Sequence, residues 1–218
     1  NASAANANAA STNAASTNAG SANAANGGSA NAANANVDAD EARVGPCPAR
    51  MAHVPHANVC IDRYEARIED GRAVSRADVL PSAITSWERA RAACEAAGHR
   101  LCTVAEWQGA CAGETGRAYP YGDEYEPGRC NTAEGLGPSE PKALEPTGRR
   151  ARCVTPEGVF DLSGNVKEWT STAVSAGVYQ QRGGAYTTLE EGRACDFDFT
   201  VASGDFAHPN TGFRCCFY

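Results

Sequence analysis

The chain has 218 residues with 19 basic and 26 acidic side chains, a net charge of −7 at neutral pH. That balance lacks the clustered Lys and Arg that nucleic acid and anionic membranes reward, and no apolar run approaches the roughly 18 residues of a membrane span. The length allows one domain or two small ones.

Residues 1–36 contain only Ala (16), Asn (10), Ser (5), Gly (3) and Thr (2). Ordering a backbone unit costs about 1–2 kcal/mol, and methyl groups alone do not offset that. Residues 1–40 are therefore expected to form a disordered tail or tether, and 41–218 a single folded domain. The chain opens on Asn1 rather than Met, which fits removal of an export segment, with the tail as the spacer of a secreted, periplasmic or surface-tethered protein.

In the folded part, residues 59–64 have strand composition. The stretch 84–98 predicts a short amphipathic helix: Thr85 and Glu88 have capping-box spacing, Trp87, Ala90, Cys94 and Ala97 share a face, and Gly98 stops it. A second helix repeats the grammar over 103–113, with Thr103 and Glu106 as the box, Val104, Trp107 and Cys111 on one face, and Gly113 as the stop. From 119 to 155 neither period persists, which predicts irregular structure held by disulfides or ions. Strands are expected again at 158–162, 181–186 and 212–218. Trp87, Trp107 and Trp169 read as core anchors.

Ten cysteines all follow the tail, at separations of 13, 34, 8, 9, 19, 23, 42, 20 and 1. None shows the short gap of a zinc site, so the even count of cysteines points to disulfides and an oxidising compartment. Cys215 and Cys216 are adjacent, and neighbours on a strand face opposite ways, so they need two different partners. His53 and His56 are three apart with no third ligand in view and read as solvent-facing, and His99 and His208 read as loop residues. Ser163 lacks the flanking glycines of a nucleophile elbow, and no phosphate loop or dinucleotide fingerprint appears.

Five segments occur in a recognisable order: RLCTVAEWQGAC from Arg100, YPYGDEY from Tyr119, GVFDLSGNVKEWT from Gly158, RGGAY from Arg182 and GFRCC from Gly212. Together they resemble the formylglycine-generating enzyme family, also called sulfatase-modifying factor domains, from about Cys60 to the C-terminus. The resemblance implies an α+β, irregular, loop-rich, C-type-lectin-like fold stapled by disulfides.

Active members of that family convert a sulfatase cysteine to formylglycine with oxygen and a Cu(I) ion held by two thiolates, soft ligands that suit a soft ion. Cys195 matches the first of those thiolates, but the position of the second holds Thr200, whose protonated hydroxyl is a poor Cu(I) ligand. Asp196 and Asp198 would further raise the pKa of a free thiol there. Three readings of Cys195 follow: a disulfide partner, for which Cys94 is left over; a copper- or substrate-engaging thiol; or a free, inert thiol.

The resemblance also implies disulfides between Cys111 and Cys215 and, in parallel, Cys102 and Cys216, with Cys130–Cys153 and Cys47–Cys60 as further pairs. It implies calcium in the DLSGNVKEW segment, through Asp161, the carbonyls of Gly164 and Val166, and Glu168, an oxygen set suited to a hard cation. A second calcium site would start at Asn131 and Thr132, with later ligands sought between Gly137 and Glu140. Two functions are expected from these readings. One is a secreted, calcium-binding, monomeric pseudoenzyme that holds a protein, peptide or glycan ligand; the other is a copper-dependent oxidase acting on a sulfatase cysteine.

Overall fold

The structure is a computed structural model that describes residues 45–133, 143–189, 193–198 and 200–218. The tail expected at 1–40 and the segment Gly137 to Glu140 lie outside these residues.

Strands β1 (Met51–Val54), β2 (Val59–Asp62), β3 (Ala66–Glu69) and β4 (Arg72–Ser75) come first. Helix α1 (Trp87–Ala96), strand β5 (Arg100–Leu101) and helix α2 (Val104–Ala112) follow. Strands β6 (Lys167–Ser175), β7 (Val178–Arg182), β8 (Val201–Ser203), β9 (Thr211–Phe213) and β10 (Cys215–Phe217) complete the order. One sheet runs β1-β2-β10-β5 and another β8-β7-β6-β9, while β3 and β4 pair as a hairpin. Between α2 and β6 the described residues hold no α-helix or strand, only isolated bridges between Tyr119 and Gly122 and between Val154 and Phe160. This is the loop-rich α+β fold that the resemblance implies.

Both helices form where the capping pattern places them, with one shift. α2 begins at Thr103, whose side chain accepts from the Glu106 amide at 3.2 Å while Glu106 accepts from the Thr103 amide at 2.8 Å. In α1 the cap is Ser86, which accepts from the Arg89 amide. The Thr85 hydroxyl donates instead to the Ser82 carbonyl at 2.9 Å, because Ile84 turns the chain at φ 52° just before it. The strand expected at 158–162 reduces to the single bridge at Phe160, since Asp161 adopts φ 59° and leaves extended geometry.

The β1-β2-β10-β5 sheet has a buried core on each side. Val54, Ile61, Trp107, Leu162 and Cys216 pack on one, and Met51, Cys60, Ala93, Trp169, Phe213 and Cys215 on the other. Adjacent Cys60 and Ile61, and adjacent Cys215 and Cys216, divide between the two cores as the two-residue period of a strand requires. All ten cysteines are bridged: Cys47–Cys60, Cys94–Cys215, Cys102–Cys216, Cys111–Cys195 and Cys130–Cys153. The expected Cys111–Cys215 bond is corrected by this pattern. Cys215 faces the core that holds Cys94 of α1, whereas Cys111 of α2 belongs to the opposite core with Cys195. Five disulfides belong to an oxidising compartment. Among the described residues no helix is long and apolar enough to cross a membrane.

Candidate functional site

Strand β6 carries the chemistry of the DLSGNVKEW segment, and its alternation sends neighbouring side chains opposite ways. Glu168 points inward. Its Oε2 accepts from Trp107 Nε1 at 2.7 Å and from Arg214 Nε at 2.6 Å, and its Oε1 accepts from Arg214 Nη2 at 2.7 Å. Arg214 donates further to the carbonyls of Asp62 at 3.0 Å and Phe160 at 2.8 Å. Both partners of this forked ion pair are out of solvent, at 0% and 1% side-chain exposure. Burial works to lower the pKa of Arg214, and the carboxyl groups of Glu168, Glu65 and Asp161 together more than reverse it, so the guanidinium stays charged.

Three more buried carboxyl groups surround the pair. Asp62 accepts from the Cys215 amide at 2.8 Å, and burial pushes its pKa up to about 7. Glu65 accepts from the Val166 amide at 2.9 Å and from the Asn165 side chain; burial, then the charges of Asp161 and Glu168, hold its pKa well above the usual carboxylate range. Asp161 accepts from the Gly148 amide at 2.7 Å and is also raised to about 7 by burial. Four carboxyl groups thus share one guanidinium, and retained protons lower the charge of this centre near neutral pH.

Of the predicted calcium ligands, which are near one another in sequence, Glu168 is already engaged within the chain. Three donors converge on the two Glu168 oxygens, and the Arg214 charge sits where a divalent cation would have to approach them. Among the described residues no group of three or more His, Cys, Asp or Glu side chains is arranged to hold a metal. Gly164 has a packing role: at φ 88°, an added Cβ would lie 2.2 Å from the Asn131 carbonyl oxygen. Val166 contributes its amide to Glu65. Asn131 donates to Asn165 Oδ1 at 2.9 Å and to the Ala143 carbonyl at 3.0 Å, while its own Oδ1 is buried without a hydrogen-bond partner. The later ligands sought for that second site lie outside the described residues.

The copper position read at Cys195 is taken up by a disulfide. Cys195 is fully buried, bonded to Cys111, with its amide donating to the Ala118 carbonyl at 2.8 Å. Of the three readings, the disulfide partner is the one observed, with Cys111 rather than Cys94 as its mate. The thiolates that would hold Cu(I) are absent from this chain's chemistry: Cys195 is oxidised, and so are Cys215 and Cys216.

Thr200 lies elsewhere, on the wall of an open cavity of about 440 Å³ at one end of the β6–β9 sheet. Lys167 and Gln181 also line it, together with Phe206, His208 and Asn210 from the segment after β8. Lys167 is half-buried, its pKa is lowered by that burial, and its ammonium makes no hydrogen bond or ion pair among the described residues. Gln181 is 2% exposed, and its Nε2 is buried without a hydrogen-bond partner. Sequence reasoning missed both residues. Lys167 could have been found, since it is a lone cation beside Glu168 in a strand whose neighbours face opposite ways.

A family model described as sulfatase-modifying factor enzyme 1-like domain matches residues 16–217. A Bos taurus protein named inactive C-alpha-formylglycine-generating enzyme 2 is 34% identical over 153 residues, which is 62% of this chain and 50% of the bovine protein. The formylglycine-generating enzyme of Streptomyces coelicolor is 32% identical over 164 residues, 62% of this chain and 52% of its own. The chain thus spans about half the length of these curated relatives. In fold it is similar to CarF, at a TM-score of 0.56 and 20% identity over 72% of this chain and 85% of CarF.

Proposed function

The chain belongs to the sulfatase-modifying factor enzyme 1-like family, and from that premise we propose that it is an exported pseudoenzyme, a disulfide-stapled module that binds its ligand without oxidising it. The observation that carries this reading is the Cys111–Cys195 disulfide. An oxidase of the type expected from the resemblance needs a Cys195 thiolate and a second sulfur, and position 200 supplies a hydroxyl. The bovine relative whose name includes the word inactive supports the same direction. With the redox centre oxidised into a staple, what the fold offers a ligand is the open cavity bearing Thr200, Lys167 and Gln181. A protein, peptide or glycan ligand and a secreted, periplasmic or surface-tethered location belong to this reading; the residues around Glu168 do not support a calcium-dependent version of it.

The test is alkylation of the native protein in denaturant, with and without prior reduction, followed by peptide mapping. No thiol is expected to label before reduction, and the peptides of Cys111 and Cys195 are expected to be linked. A labelled Cys195 would overturn the reading, and an oxidase assay with Cu(I), oxygen and a sulfatase-derived cysteine peptide would then decide between a reactive and an inert thiol.

A further inference from the structure

The cavity at the end of the β6–β9 sheet differs from the rest of this acidic protein. The chain carries a net charge of −7, yet among the described residues no Asp or Glu lines the cavity, and the one formal charge on its described walls is Lys167. Three features converge there. The Lys167 ammonium is half-buried and without a partner among the described residues. The Gln181 amide, almost completely buried, has its Nε2 unpaired. Gln181 stands on β7 directly across from Trp169 of β6, and residues two apart on a strand share a face, so Lys167 and Gln181 project from the same side of the sheet. A buried N–H left unpaired costs about 1–3 kcal/mol, and an ammonium on a half-buried residue gives up part of its hydration without a partner to replace it. Both costs are relieved by a ligand that brings acceptor oxygens, and relieved most by one that brings a negative charge.

The remaining walls narrow the class. Thr200 offers a neutral hydroxyl, and Asn210 a neutral amide already bonded to His208 and Thr187, which match ligand hydroxyls and not a second charge. Phe206 is 41% exposed and lies parallel to the His208 ring, with centroids 6.1 Å apart, giving the rim a flat apolar surface. A volume of about 440 Å³ is within the range of small-ligand sites. One anionic group, several hydroxyls and one apolar face describe a sugar acid.

We propose that this cavity binds the carboxylate of an acidic monosaccharide, with Lys167 and Gln181 holding the carboxylate and Phe206 covering the apolar face of the ring. The proposal rests on the reading of the chain as a binding module and names the ligand class for that module. It can fail while that reading stands, because the thiol mapping does not involve the cavity.

The experiment is titration of the full chain with glucuronate, glucose and a doubly acidic dipeptide, by calorimetry at neutral pH. Glucuronate is expected to bind, and glucose to bind at least about tenfold more weakly, since a charge-assisted hydrogen bond is lost. Lys167→Met and Gln181→Leu are each expected to weaken glucuronate by about tenfold or more with the melting temperature held. Having both variants keeps the test open should one fail to fold. Absence of glucuronate binding, equal binding of glucose, or undiminished binding by both variants would overturn the proposal. Tighter binding of the dipeptide would overturn the sugar assignment and make the cavity a peptide site.

Discussion

Lys167 and Glu168 are consecutive on β6, yet one opens into an unpaired cavity and the other closes a saturated core. Glu168 accepts three hydrogen bonds within the chain, two from Arg214 and one from Trp107. Lys167 has none among the described residues, and Gln181 beside it leaves an N–H unpaired. A buried polar centre whose valences are filled by the chain itself contributes to specifying the fold; one whose valences are left over is where a ligand is accommodated. On this ground the acid-rich DLSGNVKEW segment, which reads as a metal site, functions as structure, and the cavity beside it carries the binding.

The largest effect is expected from breaking the saturated side. Glu168→Ala leaves a buried Arg214 without its carboxylate, which costs about 3–5 kcal/mol, measurable by urea denaturation. The same loss is expected with millimolar calcium and with excess chelator, because the guanidinium already neutralises Glu168. A ligand that binds only the native state adds stability that grows with the logarithm of its concentration above Kd, so a loss confined to the calcium series would show that Glu168 holds the metal.

Next in size is the staple that replaces the redox centre. Converting Cys111 and Cys195 together to Ala opens a covalent loop between residues 84 apart, and about 2–5 kcal/mol of stability should go with it. Affinity for glucuronate should be unchanged in the double variant, since neither sulfur lines the cavity. A parallel fall in both quantities would mean that the cavity and the core open as one unit, and the contrast between the two sides of β6 would be blurred.

The parts of this molecule that sequence alone disclosed are those fixed by local rules. The Thr103–Glu106 box placed α2 to the residue, and the adjacency of Cys215 and Cys216 required two partners on opposite faces, which are Cys94 and Cys102. The β3–β4 hairpin went unread, although Asp70 and Gly71, which turn at φ 49° and 79° between the two strands, carry a local signal for it. What sequence could not disclose depends on distant contacts. Pairing Cys111 with Cys195 rather than Cys215 follows from which core each helix packs in, and the capture of Glu168 by Arg214 joins residues 46 apart. The ligand set read from DLSGNVKEW was a pattern of oxygens; the neighbour that decides its chemistry lies in GFRCC.

A third effect is one of slope rather than level, and it concerns the excess of acid around Arg214. Asp62 is raised by burial from 3.8 to about 7, so between those values the native state holds a proton that the unfolded chain has released. Stability contributed by Asp62 is therefore complete below about pH 4 and is lost as pH rises toward 7. Asp62→Asn preserves an acceptor for the Cys215 amide and cannot ionise, so its stability relative to the parent should increase steadily from pH 4 to pH 7 and level off above. Denaturant titrations of both proteins at unit steps of pH give this difference directly, and the shared contributions of Glu65 and Asp161 cancel to first order. A difference that does not change with pH would mean that Asp62 is ionised throughout, with Arg214 serving two carboxylates; the saturation argued for Glu168 would then be incomplete.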